Sequence, residues 1–151
     1  MADEKKILVA YFSWSGTTRN AAKKIADTMN GELFEIVPAK PYSKSYGMTA
    51  MKALIERMCG ARPRIRNKVQ DIGRFEKIVI GFPIWWYCCP MIICSFLKQY
   101  DFAGKAVYTF CTHGGSGPSR SLAVMQKSCR TIKDCFDANS ATPAKIQNWF
   151  C

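Results

Sequence analysis

A hydroxyl-rich loop separates the first apolar run of the sequence from the first predicted helix. The loop is Ser13-Trp14-Ser15-Gly16-Thr17-Thr18, and it leads directly into the helix. Backbone N–H groups at a helix start, together with hydroxyl donors, often cradle a phosphate group. The loop has no lysine, which the ATP-binding pattern GxxxxGK(S/T) requires, so ATP hydrolysis is not expected. The residues predict either a phosphate site or a hydroxyl-rich helix cap.

Two further loops follow predicted strands and have unusual compositions. Pro83-Ile84-Trp85-Trp86-Tyr87 places three aromatic side chains where a loop should meet water, which favours a planar ligand covering some of them. We expect at least one of these rings to fold into the core instead. Cys111-Thr112-His113-Gly114-Gly115-Ser116-Gly117 contains three glycines, which allow close backbone approach to a ligand or simply form a turn.

Alternating strands and helices are expected to position these loops. Apolar runs predict buried parallel strands at residues 7–12, 32–37, 77–82 and 105–110. Apolar residues at helical spacing predict helices within 22–29, 49–58, 91–100 and 122–136, and Thr142-Pro143 predicts the start of a last helix. This alternation predicts a doubly wound open sheet, in which ligands bind at the carboxyl edge of the strands. The three loops converge there and together predict a phosphorylated planar heterocycle as the ligand.

The composition fits one α/β domain over residues 1–151. The hydrophobic content of 48% can form a sizeable core, and the eight cysteines lie mostly in apolar segments, where reduced thiols are expected. No apolar run could span a membrane and no signal peptide is recognised, so we expect a cytoplasmic protein without membrane association.

The chain is strongly basic, with 22 Lys and Arg against 11 Asp and Glu, a net charge of +11. Partners are therefore expected to be acidic. The basic run from Arg57 to Lys68 is interpreted as a solvated connector, because no nucleic-acid motif accompanies it. A nucleic-acid partner is not expected.

Three cysteines adjoin the aromatic loop. Cys88 and Cys89 are adjacent, and Cys94 follows one helical turn further on. A redox dithiol is conceivable, but a vicinal disulfide is strained, so small buried hydrophobic side chains are the favoured interpretation. No metal site is expected, because this spacing is unlike that of zinc ligands and His113 is the only histidine.

With these loops the sequence resembles the flavodoxin family, particularly short flavodoxin-like proteins with GFPIWWY followed by a proline and later TxGGSG. The resemblance covers about residues 6–136, and the family's phosphate-loop pattern S/T-x-S/T-G-x-T matches Ser13 to Thr18. It implies a flavodoxin-like sheet of order 2-1-3-4-5 and an FMN cofactor. The implied phosphate contacts are Ser13, Ser15, Gly16, Thr17 and Thr18. The implied flavin contacts are Pro83, Ile84, Trp85, Trp86, Tyr87, Thr112, His113, Gly114, Gly115 and Gly117, with Trp86 or Tyr87 against the ring.

Two features depart from the family. Many flavodoxins are acidic, and positive charge that reaches the ring should instead stabilise the reduced anionic flavin and raise its reduction potential. Only residues 137–141 separate the predicted fourth helix from Thr142, so the fifth strand must be very short, displaced or absent. Its loss would expose the edge of the fourth strand, which a homodimer or a covering loop would then protect.

Three functions remain open. The first is an electron carrier between redox partner proteins, one of which would have an acidic surface. The second is an FMN-dependent NAD(P)H oxidoreductase acting on quinones or similar acceptors, in which His113 could be catalytic by delivering a proton. The third is a non-redox module that binds another phosphorylated ligand.

Overall fold

The computed structural model describes residues 6–115, 121–132, 134–139 and 141–150. Its strands are β1 (Ile7–Tyr11), β2 (Glu32–Glu35), β3 (Lys77–Pro83), β4 (Ala106–Thr112) and β5 (Cys135–Asp137). They form one parallel sheet of order β2-β1-β3-β4-β5. The predicted order 2-1-3-4-5 is confirmed, and the direction of strand succession reverses between β1 and β3.

Helices cover both faces of the sheet. They are α1 (Thr17–Met29), α2 (Tyr46–Cys59), α3 (Met91–Gln99), α4 (Ser121–Gln126) and α5 (Pro143–Phe150), with a 3-10 turn at Ile72–Arg74. Leu8 and Ile78 pack in the core beneath α3, whereas Val9 and Val79 pack against α1 and α5. Because adjacent strand residues are buried on opposite faces, the apolar runs do not alternate. Among the described helices, none combines the length and hydropathy of a membrane span.

The prediction of a single helix over residues 122–136 is wrong. α4 ends at Gln126, whose Nε2 donates to the carbonyl of Ile132 over 2.8 Å in the irregular segment that follows. Cys129 and Ile132 are nevertheless buried. Their helical spacing therefore reflects core packing, while the serine, cysteine and threonine after Gln126 have modest helix propensity.

The fifth strand is very short, one of the three outcomes expected from the sequence. Cys135 and Phe136 lie within the segment predicted as helix, and the three residues of β5 pair with Thr109–Cys111 of β4. The end of β4 nearest the predicted ligand site is thus covered by the chain itself. A homodimer at this edge stays a prediction.

Candidate functional site

The loop of Ser13 to Thr18 joins the carboxyl end of β1 to the N-terminus of α1. Gly16 precedes the helix at a φ of +98°, which glycine adopts without steric cost, and its N–H donates to Ser13 Oγ over 3.0 Å. Within the described part of the chain, no hydrogen bond engages the backbone N–H groups of Thr17, Thr18 or Arg19. These donors lie at the positive end of the helix dipole, so they can bind an anion.

Two buried threonines join this loop to the end of β4. Thr18 Oγ1 and Thr112 Oγ1 lie 2.8 Å apart. Only one hydroxyl can donate in this pair, so the accepting hydroxyl keeps its own hydrogen for another partner. Ser15 and Thr17 place two more hydroxyls at the same turn, with their oxygens 3.3 Å apart. The first and third loops are thereby fixed beside one another.

The aromatic loop is a tight turn closed by two hydrogen bonds. Trp85 N–H donates to the Cys88 carbonyl over 2.8 Å, and Cys88 N–H donates to the Trp85 carbonyl over 3.1 Å. The central residues, Trp86 and Tyr87, have φ values of 53° and 60°. Positive φ at both positions is usual for asparagine and glycine, and it costs other residues about 1–2 kcal/mol each. Because such strain concentrates at functional sites, we regard this turn as a candidate ligand contact.

The three aromatic side chains of this turn lie in different surroundings. Trp85 packs edge-on against the core residue Phe12, with ring centroids 5.3 Å apart. This agrees with the expectation that at least one of the three rings folds into the core. The Trp86 Nε1–H donates to the Ala50 carbonyl over 2.6 Å, and the Trp86 carbonyl accepts from Arg57. The Trp86 and Tyr87 side chains are 42% and 66% exposed. The turn is therefore anchored to α2 while both rings remain accessible.

A cleft of about 670 Å³ lies between the aromatic turn, α2 and the glycine loop. Its volume is within the range of roughly 300–1,000 Å³ typical of small-molecule sites. Its lining includes the sequence-predicted residues Ile84, Trp85, Trp86, Tyr87, Gly114 and Gly115. Four lining residues were missed, namely Trp14, Tyr46, Thr49 and Ala50. Trp14 could have been predicted, because it is an aromatic side chain in a loop that follows a strand, as are the residues of the aromatic turn.

His113 faces the last strand of the sheet. Its Nδ1 accepts from Gly115 N–H over 2.9 Å, and its Nε2 lies 2.7 Å from Asp137 Oδ2. Its backbone N–H donates to Asn139 Oδ1 over 2.9 Å. Burial raises the pKa of Asp137, but hydrogen bonds from Asn139 N–H and His113 outweigh burial, so the net shift is downward. Both imidazole nitrogens are engaged in positioning the loop, and the catalytic role of His113 stays a prediction.

Pro83 and Thr112 lie where β3 and β4 end, and neither is among the described residues that line the cleft. Pro83 ends β3 opposite Thr112, and Ile84 N–H donates to the Thr112 carbonyl over 2.8 Å. Gly115 has a φ of +127°, and added Cβ atoms at Gly114 and Gly115 would each meet nothing within 4 Å. The glycine loop thus leaves open space beside its backbone. Gly117 lies outside the described residues.

Cys88, Cys89 and Cys94 are buried and reduced. Hydrogen bonds with Cys88 and Cys94, followed by burial, raise the pKa of the Cys89 thiol well above its ordinary value. A thiol with a raised pKa forms little of the reactive thiolate, whereas the hydrogen bond from Cys89 lowers the pKa of Cys94. The role of the three cysteines as small buried side chains therefore stays a prediction. In the described part of the chain, no group of His, Cys, Asp or Glu could hold a metal ion.

The strand order and the three loops define a doubly wound α/β protein with a small-molecule cleft at the carboxyl edge of its sheet. A family model described as flavodoxin matches residues 6–150. The chain belongs to the flavodoxin family. Membership in a narrower group with the GFPIWWY motif stays a prediction.

Solved structures include close matches to the whole fold. A protein of Bacteroides eggerthii assigned as a flavoprotein is 35% identical, with a TM-score of 0.89 over 97% of this chain and 96% of that one. A protein of Bacteroides uniformis with the same assignment is 34% identical, with a TM-score of 0.86 over 98% and 99%. A flavoprotein of Lactobacillus acidophilus in complex with FMN shares the fold at 24% identity, with a TM-score of 0.79 over 98% and 100%. A comparison with curated proteins gives no match.

Proposed function

We propose that this flavodoxin binds one FMN in the cleft and uses it to carry electrons between proteins. The observation that carries the proposal is the N-terminus of α1, which presents backbone donors without partners among the described residues. Trp14 of the same loop lines the cleft, so a phosphate at the helix and a planar ring in the cleft belong to one ligand. Flavodoxins hold FMN at this switch point of the sheet, and the Lactobacillus protein with FMN has the same fold.

The residues present fit FMN at both of its ends. Gly16, Ser13 and the first-turn N–H groups would hold the phosphate, with Ser15 and Thr17 adding hydroxyl donors. The exposed rings of the aromatic turn offer a face for stacking, and the open space beside the glycine loop admits a ring edge. FMN supplies reversible one- and two-electron chemistry, while the chain binds it and excludes water from one side.

The cleft lining favours a carrier over an enzyme that protonates its substrate. Among the described residues that line the cleft, the titratable side chains are the phenols of Tyr46 and Tyr87, and a phenol donates a proton less readily near neutral pH than an imidazolium or a carboxylic acid. His113, the candidate proton donor, has its two ring nitrogens engaged by Gly115 N–H and by the Asp137 carboxylate. General acid catalysis requires a titratable group within hydrogen-bond reach of the reacting atoms, whereas electron transfer does not.

A titration of FMN fluorescence with a matched pair of glycine variants tests the phosphate site. Gly16 and Gly104 both have positive φ, and an added Cβ would meet nothing within 4 Å at either position. Alanine should strain both backbones by about 1–2 kcal/mol, but only Gly16 lies at the site. The wild-type chain should quench one equivalent of FMN, Gly16→Ala should weaken binding about tenfold, and Gly104→Ala should leave it unchanged. Absence of quenching by the wild-type chain, or equal effects of the two variants, would contradict the proposal.

Anaerobic mixing of the FMN-loaded chain with NADH or NADPH separates the carrier from the oxidoreductase. The carrier should keep its oxidised flavin spectrum over the time of an enzymatic turnover. Rapid bleaching that His113→Gln slows would favour the oxidoreductase instead.

A further inference from the structure

Helix α2 presents an apolar stripe to solvent. Met48, Met51, Ile55 and Met58, here called the α2 stripe, are 68%, 58%, 53% and 77% exposed. Their spacing of three and four residues places them on one face of the helix. Only two residues of this 14-residue helix are buried. The stripe therefore contributes almost nothing to the core of this chain.

The exposed apolar side chains of the described residues are concentrated on α2 and the aromatic turn. The described residues include eight exposed large hydrophobic side chains, of which five lie on α2 and two are Trp86 and Tyr87. Only Leu33 lies elsewhere. The Trp86 Nε1–H donates to the Ala50 carbonyl, so the aromatic turn packs against the same helix that presents the stripe. Isolated exposed hydrophobic residues are ordinary, whereas a contiguous patch marks an interaction site.

Basic residues flank α2 in the sequence. Residues 39–68 contain eight Lys or Arg residues and one acidic residue, Glu56, so they contribute +7 of the net +11. Lys44, Arg62 and Arg64 are exposed. Two copies facing each other through α2 would bring these charges within about a Debye length, roughly 8 Å at physiological salt, and repel. An acidic rim on a different protein would instead be complementary.

We propose that the α2 stripe forms the docking surface for a protein partner with an apolar centre and an acidic rim. Methionine side chains are flexible and polarisable, so they adapt to partner surfaces. The role of this contact in electron transfer rests on the proposed function, whereas docking itself needs no cofactor.

Fluorescence anisotropy with labelled peptides tests the surface on the full chain, with and without FMN. The probe is a three-heptad amphipathic helix with leucine along one face and glutamate beside it. One control peptide replaces each glutamate by lysine, and the other replaces each leucine by alanine. The acidic, leucine-bearing peptide should bind, and both controls should bind at least about tenfold more weakly.

Variants of the chain locate the binding site. Met51→Gln combined with Ile55→Gln should weaken the acidic peptide at least about tenfold, because both lie in the middle of the stripe. Leu33→Gln, an exposed apolar residue away from the stripe, should bind the peptide like the wild-type chain. FMN fluorescence quenching should be the same in all three chains, which shows that the variants are folded and that the cleft is intact.

Four results would overturn the docking proposal. They are no binding of the acidic peptide, equal binding of the acidic and basic peptides, a wild-type dimer that the double variant dissociates, and capture by phosphatidylserine-containing vesicles in place of the peptide. Peptide binding that depends on the stripe in a chain that fails to bind FMN would support the docking surface and contradict only the proposed function.

Discussion

Tyr87 has a φ of 60°, a conformation that costs a residue with a side chain about 1–2 kcal/mol and glycine nothing. At ordinary positions glycine is instead the less stable choice, by about 0.5–1 kcal/mol relative to alanine, because of unfolded-state entropy. The strain of about 1–2 kcal/mol less the entropy of about 0.5–1 kcal/mol leaves Tyr87→Gly more stable than Tyr87→Ala by up to about 1.5 kcal/mol. Both variants lose the same exposed side chain, so its contacts cancel in the comparison.

Urea unfolding of the chain without FMN measures this difference. Met51, exposed within α2, supplies the control, where glycine should be about 1 kcal/mol less stable than alanine. The free energy of unfolding should therefore be higher for glycine than for alanine at position 87 and lower for glycine than for alanine at position 51. All four variants should share one m-value. Alanine about 0.5–1 kcal/mol more stable than glycine at position 87, the result expected without strain, would refute the claim that the turn is strained. Both Tyr87 variants should bind FMN more weakly than the wild-type chain, because the exposed ring is lost.

Three further changes probe the framework around the site. Thr18→Val should lower the free energy of unfolding by about 1–3 kcal/mol, since it leaves the buried Thr112 hydroxyl without its partner, and adding Thr112→Val should recover part of the loss. Gly81→Ala should cost about 1–3 kcal/mol in urea unfolding, because its Cβ would lie 1.9 Å from Phe110 Cζ, and Phe110→Leu in the same chain should relieve this clash. The lowered pKa of Asp137 stabilises the fold above the ordinary value of 3.8, and this stabilisation is lost as the pH falls through the lower folded value. Asp137→Asn should therefore lose less stability than the wild-type chain during acid titration; an identical acid profile would contradict the assignment.

Much of the sheet could be predicted from local sequence. Strands buried on both faces appear as short continuous apolar runs, and this signal located β1, β3 and β4. The same logic failed at residues 122–136, because Cys129 and Ile132 are buried at helical spacing without being helical. The spacing of apolar residues indicates which of them face the core. It does not show that the backbone between them is helical.

The candidate site was predictable where its residues follow strands. Topology brings such loops to one edge of the sheet, which is why the aromatic and glycine loops could be assigned. Tyr46, Thr49 and Ala50 could not, because they lie in the long connection between β2 and β3, and only tertiary packing brings α2 to the cleft. The positive φ at Trp86 could not be predicted either, because neither central residue of the turn is the glycine or asparagine that usually indicates this conformation.

The affinities of the wild-type chain for FMN and for riboflavin, measured by isothermal titration calorimetry, test the central claim most directly. The two ligands share the ring and differ in the phosphate, which we place at the N-terminus of α1. Hydrogen bonds to a charged group contribute about 1.5–3 kcal/mol each, so losing two of them should weaken binding at least about 100-fold. The account predicts one FMN per chain and this gap in affinity. Equal affinities for the two ligands, or no binding of FMN, would contradict it.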